Sequence, residues 1–60
     1  MHAEFGDHLV VEGSTAEAHR RQAVVLEARG EGGGPPYLVR WADGHESLVF
    51  PGPDAHIVPA

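Results

Sequence analysis

The pattern of apolar and polar residues between positions 34 and 54 predicts a β-hairpin. Two apolar runs of strand length flank Asp43-Gly44, a dipeptide typical of two-residue hairpin turns. Such a turn pairs Trp41 with Glu46. Because side chains alternate along a strand, one face is predicted to hold the large apolar residues. The predicted inner face consists of Tyr37, Val39, Trp41, Leu48 and Phe50, and the predicted outer face of Leu38, Arg40, Ser47 and Val49.

The same patterning predicts an all-β chain. Strands are expected near residues 7–12, 22–29, 36–41, 46–50 and 56–58. In the second of these, residues 23–26 are all apolar, so alternation does not assign its inward face. A β-bulge or a strand covered on both faces would explain this run. We favour Val25 and Ala28 as the inward residues.

The segments between the strands have distinct compositions. Residues 14–21 are predicted to be a loop with at most one helical turn, although Ser14 and Glu17 match a capping box. Residues 30–36 read as a mobile glycine-rich loop that ends in two prolines, and they lack the Gly-Lys-Ser/Thr of a phosphate-binding loop. Residues 51–54 predict a turn or a short 3₁₀ segment. Gly6-Asp7 is expected to lead into the first strand, with Asp7 bonding to nearby amides.

Three pieces of the chain resemble a known family. They are Gly6-Asp7, the central run Pro-Pro-Tyr-Leu-Val-Arg-Trp-Ala-Asp-Gly-His-Glu at 35–46, and Pro-Gly-Pro-Asp-Ala at 51–55. The sequence is similar to a family of very small actinobacterial proteins of unknown function. The resemblance implies a strongly bent antiparallel sheet of the SH3-like barrel kind, with about five strands. Some relatives carry a C-terminal helix, for which a chain that ends at Ala60 has no room. The resemblance implies no catalytic residues.

The length of 60 residues predicts one domain that spans the chain. A domain of this size buries roughly 60% of its extended-chain surface and has a small stability margin. No cysteine is present to form disulfides. The N-terminus lacks the pattern of a signal peptide, and no apolar run approaches the length of a membrane span. We therefore expect a cytoplasmic protein.

The charge balance argues against tight binding to nucleic acids or anionic membranes. The net charge is −5, with four arginines and no lysine. Nucleic-acid binders usually carry a basic stripe, because counterion release from phosphates drives their affinity. Weak nucleic-acid binding stays the alternative function, and it requires one basic face. That face would consist of Arg20, Arg21, Arg29 and Arg40.

The sequence predicts neither catalysis nor a bound metal or cofactor. Five histidines are scattered along the chain, and none has the spacing of a helical or single-strand metal pair. Asp43, His45 and Glu46 do cluster around one turn. The chain has no cysteine or lysine, and its two serines lack a nucleophile-elbow context. A barrel this small also rarely encloses a dry pocket in which carboxylate pKa values are tuned.

The aromatic residues permit two interpretations. Interaction modules of the SH3-like class use such residues as peptide or methyl-lysine cages. In a chain this small, however, the same side chains are needed for the core. We expect Trp41 and Phe50 to be core residues, whereas both interpretations stay open for Tyr37.

Together these features predict a non-catalytic protein-interaction module, whose partner is another protein or a second copy of the chain. Leu38 and Val49 are predicted to be cross-strand neighbours on the outer face, where an apolar patch with polar neighbours is typical of a contact site. The predicted binding residues are Tyr37, Leu38, Arg40, Asp43, His45, Glu46 and Val49.

Overall fold

Five antiparallel strands form a single sheet in the computed structural model, which describes residues 1–13 and 20–60. The strands are β1 (His8–Val11), β2 (Arg21–Ala28), β3 (Tyr37–Trp41), β4 (Glu46–Val49) and β5 (Ala55–Val58). Their order in the sheet is β4-β3-β2-β1-β5. The predicted all-β class with five antiparallel strands is confirmed, and the sheet is consistent with a small barrel-like fold. No predicted strand end differs from the observed one by more than one residue.

Of the loop predicted at 14–21, residues 14–19 with the capping box lie outside the described residues, and Arg21 already belongs to β2. Among the described residues, no helix is long and apolar enough to cross a membrane.

The non-alternating run in β2 is resolved by a bulge. Val25 pairs with Val39, and Glu27 pairs with Leu38, so the register shifts at Leu26. The extra residue on β2 shifts the alternation of side chains by one position, so that Ala28 instead of Glu27 faces the core. Val25, before the bulge, is fully buried, and Ala28, after it, packs against the core. Both expected inward residues are confirmed.

The hairpin between β3 and β4 has a three-residue turn, not the predicted two-residue turn. The backbone N–H of Trp41 donates to the carbonyl of His45 at 2.8 Å, and the N–H of Gly44 donates to the carbonyl of Trp41 at 2.9 Å. Gly44 has a φ of 87°, which only glycine adopts readily. This geometry matches a type I turn closed by a glycine bulge, which is common in three-residue hairpins.

The longer turn moves β4 by one residue relative to the prediction and reverses its faces. Val39 pairs with Ser47, and Leu38 pairs with Leu48. Since side chains alternate with a period of two, a shift of one residue turns every side chain of the strand over. The predicted core positions of Leu48 and Phe50 are therefore wrong: they are 51% and 76% exposed.

The predicted outward position of Val49 is wrong for the same reason. Val49 is half-buried against the core, opposite Tyr37. Leu38 keeps its outward direction, but its cross-strand neighbour is Leu48. Ser47 also lies on the inner face, where its Oγ accepts a hydrogen bond from Trp41 Nε1 at 2.7 Å.

The core consists mainly of small and branched residues around one aromatic ring. Tyr37 is fully buried and is the largest such side chain, whereas Trp41 is half-buried at the edge of the core. The expectation that Trp41 packs with the core is thus confirmed at the periphery only. The buried cluster is Ala3, Leu9, Ala23, Val25, Tyr37 and Val39.

The N-terminal segment closes one end of this core against the glycine-rich loop. Ala3 is 1% exposed, and its N–H donates to the carbonyl of Gly33 at 2.9 Å. His2 Nδ1 lies 2.6 Å from the carbonyl of Gly32. The loop itself contains a short 3₁₀ turn, Glu31–Gly33. Residues 2 and 3 are therefore part of the packed structure.

Asp7 anchors the entry to β1, as the sequence predicted. Its carboxylate accepts hydrogen bonds from the N–H of Glu4 at 3.0 Å and of Ala60 at 3.3 Å. Gly6 has a φ of 92°, which permits the tight turn before the strand. The first bond stabilises the turn before β1, and the second ties it to the segment after β5.

Candidate functional site

The seven residues predicted to bind a partner do not lie on one surface. Tyr37 is fully buried, and its hydroxyl donates to the carbonyl of Gly33 at 3.0 Å. Val49 lies on the same inner face as Tyr37. Leu38 lies on the opposite, outer face. The buried phenol of Tyr37 has a structural role beneath the glycine-rich loop.

The other predicted residues form two small local arrangements. Arg40 and Glu46 are cross-strand neighbours on the outer face, joined by a 2.9 Å ion pair. Both side chains are about half exposed, so this pair contributes little stability. In the turn, Asp43 Oδ1 accepts a hydrogen bond from the N–H of His45 at 2.8 Å. That bond stabilises the hairpin and occupies one oxygen of the carboxylate.

An open groove on the inner face is lined mainly by apolar side chains. Its volume is about 300 Å³, at the lower end of the range for ligand pockets. The floor includes Leu9 and Val49, and the walls include Trp41 and Phe50. The segment that leaves β4 also lines the groove with two prolines, Pro51 and Pro53. It can hold one or two side chains of a partner, not an enclosed small molecule.

The wall of this groove carries a stacked arginine. The guanidinium carbon of Arg21 lies 4.2 Å from the centroid of a Trp41 ring. This distance is within the range of a cation–π contact, which holds the charge in place while leaving its donors available. Among the described residues, Arg21 has no carboxylate within 4.0 Å.

The remaining arginines are arranged differently. Arg20 pairs with Glu12 at 3.1 Å, and Arg29 pairs with Glu27 at 3.6 Å. Arg40 pairs with Glu46. Each of these three charges is thus partly neutralised by a neighbouring carboxylate, so they do not combine into a basic stripe.

Sequence reasoning missed Arg21 and placed the exposed Phe50 in the core. Arg21 follows a polar segment and reads as a solvated charge, but its register opposite Val11 brings it beside the groove. One sequence signal did indicate that Phe50 lies at the end of the strand: it precedes Pro51, which must leave the strand ladder. The sequence pattern did not indicate the length of the turn, which decides the register of β4.

The described residues offer no recognisable catalytic or metal-binding arrangement. No group of three or more His, Asp or Glu side chains in residues 1–13 and 20–60 is placed to hold a metal ion. His2 Nε2 lies 3.7 Å from Glu4 Oε1, which is a pair of exposed groups. Ser47 Oγ accepts its hydrogen bond from an indole, which is not a base.

Burial of Tyr37 predicts an alkaline limit to stability. Desolvation raises the pKa of its phenol above the ordinary value of about 10. The neutral phenol therefore favours the folded state at pH values below about 10. This contribution is lost as the pH rises through the folded-state pKa, because the unfolded chain ionises first. We expect unfolding to become easier above pH 10, and Tyr37→Phe to reduce this dependence.

The experiment is a series of urea titrations between pH 8 and 11.5, followed by circular dichroism. Because Tyr37 is the only tyrosine, absorbance at alkaline pH reports its ionisation without overlap from another phenol. Equal pH dependence in the parent protein and in Tyr37→Phe would contradict the prediction.

Comparisons with known proteins identify relatives but no activity. The family described as "Domain of unknown function (DUF1918)" matches residues 1–57. The chain is 52% identical over 61 residues to the uncharacterized protein Rv2302 of Mycobacterium tuberculosis, covering all of this chain and 76% of the relative. It is 43% identical over 61 residues to the uncharacterized protein Rv0569 of the same organism, covering 69% of that relative. No solved structure matches the chain.

Proposed function

The chain belongs to the DUF1918 family, and from that premise we propose that it is a non-catalytic protein-interaction module that binds an extended segment of a partner protein in the groove. The observation that carries the proposal is Phe50, which is 76% exposed beside the half-buried Trp41. Burying a phenylalanine stabilises a protein by about 1.5–3 kcal/mol. Because Phe50 is exposed, its ring does not stabilise the fold in this way, although the core is built largely from valine and alanine.

The chemistry of the groove favours a partner segment with apolar side chains and one carboxylate. Trp41, Phe50 and the two prolines provide flat apolar walls, which suit an extended chain. Arg21 offers its guanidinium donors at the edge of that surface, and a carboxylate matches their planar geometry. Asp54 also lines the groove and disfavours a second acidic residue near it. A single acidic residue beside apolar ones therefore fits best.

The absence of catalysis is part of the same proposal. Among the described residues, no serine or carboxylate is paired with a base in the way that activates a nucleophile. The cytoplasmic location predicted from the sequence stays a prediction.

The observations favour a protein partner over nucleic acid. The overall charge of −5 repels phosphates, and three of the four arginines lie within 4.0 Å of a glutamate carboxylate. Electrostatic contacts supply most of the affinity of non-specific nucleic-acid binding. Only Arg21 is placed beside an aromatic surface, and one cation does not make a basic stripe.

The test is a titration of ¹⁵N-labelled protein with short peptides that contain proline, leucine and a single glutamate. We expect a dissociation constant of about 10⁻⁴ M, with shifts of the Trp41 indole and of residues around the groove. Arg21→Gln and Phe50→Ala are each expected to weaken binding about tenfold, because each removes a central contact. Arg29 directly follows the other end of β2, and Arg29→Gln is the matched control, expected to bind normally.

Two results would contradict the proposal. One is peptide binding that is unchanged in both groove variants. The other is micromolar binding to random duplex or single-stranded DNA at physiological salt, where we expect dissociation constants above about 10⁻⁴ M. The second result would favour the nucleic-acid alternative.

A further inference from the structure

The outer edge of β4 has unpaired backbone groups at regular spacing. The bond from the N–H of Trp41 to the carbonyl of His45 establishes these two residues as a hydrogen-bonded pair. In an antiparallel ladder, hydrogen-bonded and non-hydrogen-bonded pairs alternate. Ser47 and Val49 therefore bond to β3, and the residues between them direct their N–H and C=O groups away from the sheet.

The residues with outward backbone groups are Glu46 and Leu48, followed by Phe50 directly after the strand. In the part of the chain that the structure describes, none of their N–H groups has a backbone partner. Glu46 and Leu48 point their side chains to the outer face, where Leu48 is 51% exposed, and the exposed Phe50 follows at the rim of the groove. The β4 edge thus combines three donors and three acceptors with two exposed apolar side chains.

The opposite edge of the sheet, along β5, is less accessible to pairing. The N–H of Glu12 donates to the carbonyl of Asp54, and the alternation from there leaves Ala55, Ile57 and Pro59 on the free side. Ala55 already donates its N–H to the carbonyl of Gly52, and Pro59 has none. One free donor is left on this edge, against three on β4.

From this asymmetry we propose that β4 is a self-pairing edge, at which two copies of the chain join their sheets across a twofold axis. A strand edge is complementary to itself when the second copy runs antiparallel, because each outward donor then meets an outward acceptor. Only one antiparallel register uses all three residues of each copy. It places Leu48 opposite Leu48 and Glu46 opposite Phe50, and it forms six hydrogen bonds.

The local charge permits this approach although each copy carries −5. Glu46 is the only charged residue among those that face the partner strand, and Arg40 holds its carboxylate at 2.9 Å. The edge is therefore nearly neutral. More distant charges are screened beyond about 8 Å at physiological ionic strength. Added salt should consequently strengthen the association, whereas it would weaken binding to a basic partner.

The size of the edge sets the expected strength. The chain exposes 4020 Å² in total, and a stable interface usually buries about 800 Å² on each partner. A strand of four residues covers much less than that. We expect a weak dimer, with a dissociation constant of about 10⁻⁴ to 10⁻³ M, which is detectable by sedimentation equilibrium and by translational diffusion.

A proline substitution separates pairing from folding. The N–H of Leu48 points away from β3, so Leu48→Pro removes a donor from the edge but none from the ladder. We expect this variant to keep its fold and to be monomeric at 1 mM, a concentration of about ten times the tighter expected dissociation constant. Leu48→Thr keeps the N–H and is expected to weaken the dimer only severalfold. A Leu48→Pro variant that folds and still dimerises would refute the proposal.

Cross-linking gives a second test that does not depend on the proline variant. The chain has no cysteine, so a single one can be introduced without competing thiols. Residues of a hydrogen-bonded antiparallel pair have Cα atoms about 5.5 Å apart, which permits a disulfide. With oxidised glutathione as oxidant, Leu48→Cys is expected to form disulfide-linked dimers at least tenfold faster than Val58→Cys, which lies exposed on β5. Equal rates, or a parent protein that is monomeric at 1 mM, would refute the proposal. Neither test uses Arg21, so failure here is distinguishable from failure of the groove proposal.

Discussion

Tyr37→Ala is expected to leave the protein largely unfolded at room temperature. Tyr37 is fully buried, and it is the largest side chain of the core. Truncation of a large buried aromatic residue typically costs about 3–5 kcal/mol. The core of a domain below about 70 residues rarely supplies more than about 3–5 kcal/mol of net stability. The substitution also removes the hydrogen bond to Gly33 that holds the glycine-rich loop against the core.

The matched control is Phe50→Ala, which removes an equally large ring from an exposed position. Substitutions at exposed positions usually change stability by less than about 0.5 kcal/mol. Tyr37→Phe should cost about 1 kcal/mol, because it removes the hydroxyl alone. Urea titrations of the three variants test the ranking. A cooperative transition near that of the parent in Tyr37→Ala would show that the core does not depend on this ring.

Gly30→Ala is expected to have the second largest effect, through the backbone. A Cβ atom at this position would lie 2.8 Å from the carbonyl oxygen of Gly34, and it would come closer still to the carbonyl oxygen of Pro35. Backbone atoms cannot move aside as a flexible side chain can, so the base of the loop must open. Overpacking of this kind costs about 1–3 kcal/mol. The opening would also displace Gly33, which accepts the hydrogen bonds of Ala3 and Tyr37.

Gly52→Ala is the control, since a Cβ atom there would meet nothing within 4 Å. Its stability should be within about 0.5 kcal/mol of the parent. Both variants are measured by urea titration, and amide exchange at Ala3 reports whether the N-terminal segment has detached. Equal stability of the two variants, with Ala3 still protected, would mean that the loop adapts without opening.

The strands of this fold were predictable because their apolar patterns are local. The bulge in β2 was one of two explanations for its four consecutive apolar residues, and the register shift after Val25 decides in its favour. The register of β4 could not be predicted. Asp43-Gly44 fits both a two-residue turn and the end of a three-residue turn, and the choice between them reverses the strand. One residue of turn length therefore moved Val49 inward and left Phe50 exposed.

Neither the packing of the N-terminus nor the groove could be predicted from the sequence, and the reason differs from that for the register of β4. Ala3 is a small residue in a polar segment, and nothing local indicates that it fills the end of the core. The contact of Arg21 with Trp41 joins the start of β2 to the end of β3, and it depends on their register. Such contacts follow from the tertiary arrangement, whereas the individual residue types give no signal of them.

The position of β1 between β2 and β5 makes completion of the sheet a late event during synthesis. His8 pairs with Val24 on one side and with Val58 on the other. Domains emerge from the ribosome at about 5–20 residues per second, so β1 waits several seconds for its second neighbour. During that interval the edge of β1 that β5 will cover is unpaired. The sheet is therefore complete only when the last strand of the chain covers the edge of β1, and the edge of β4 is then its remaining open side next to β3.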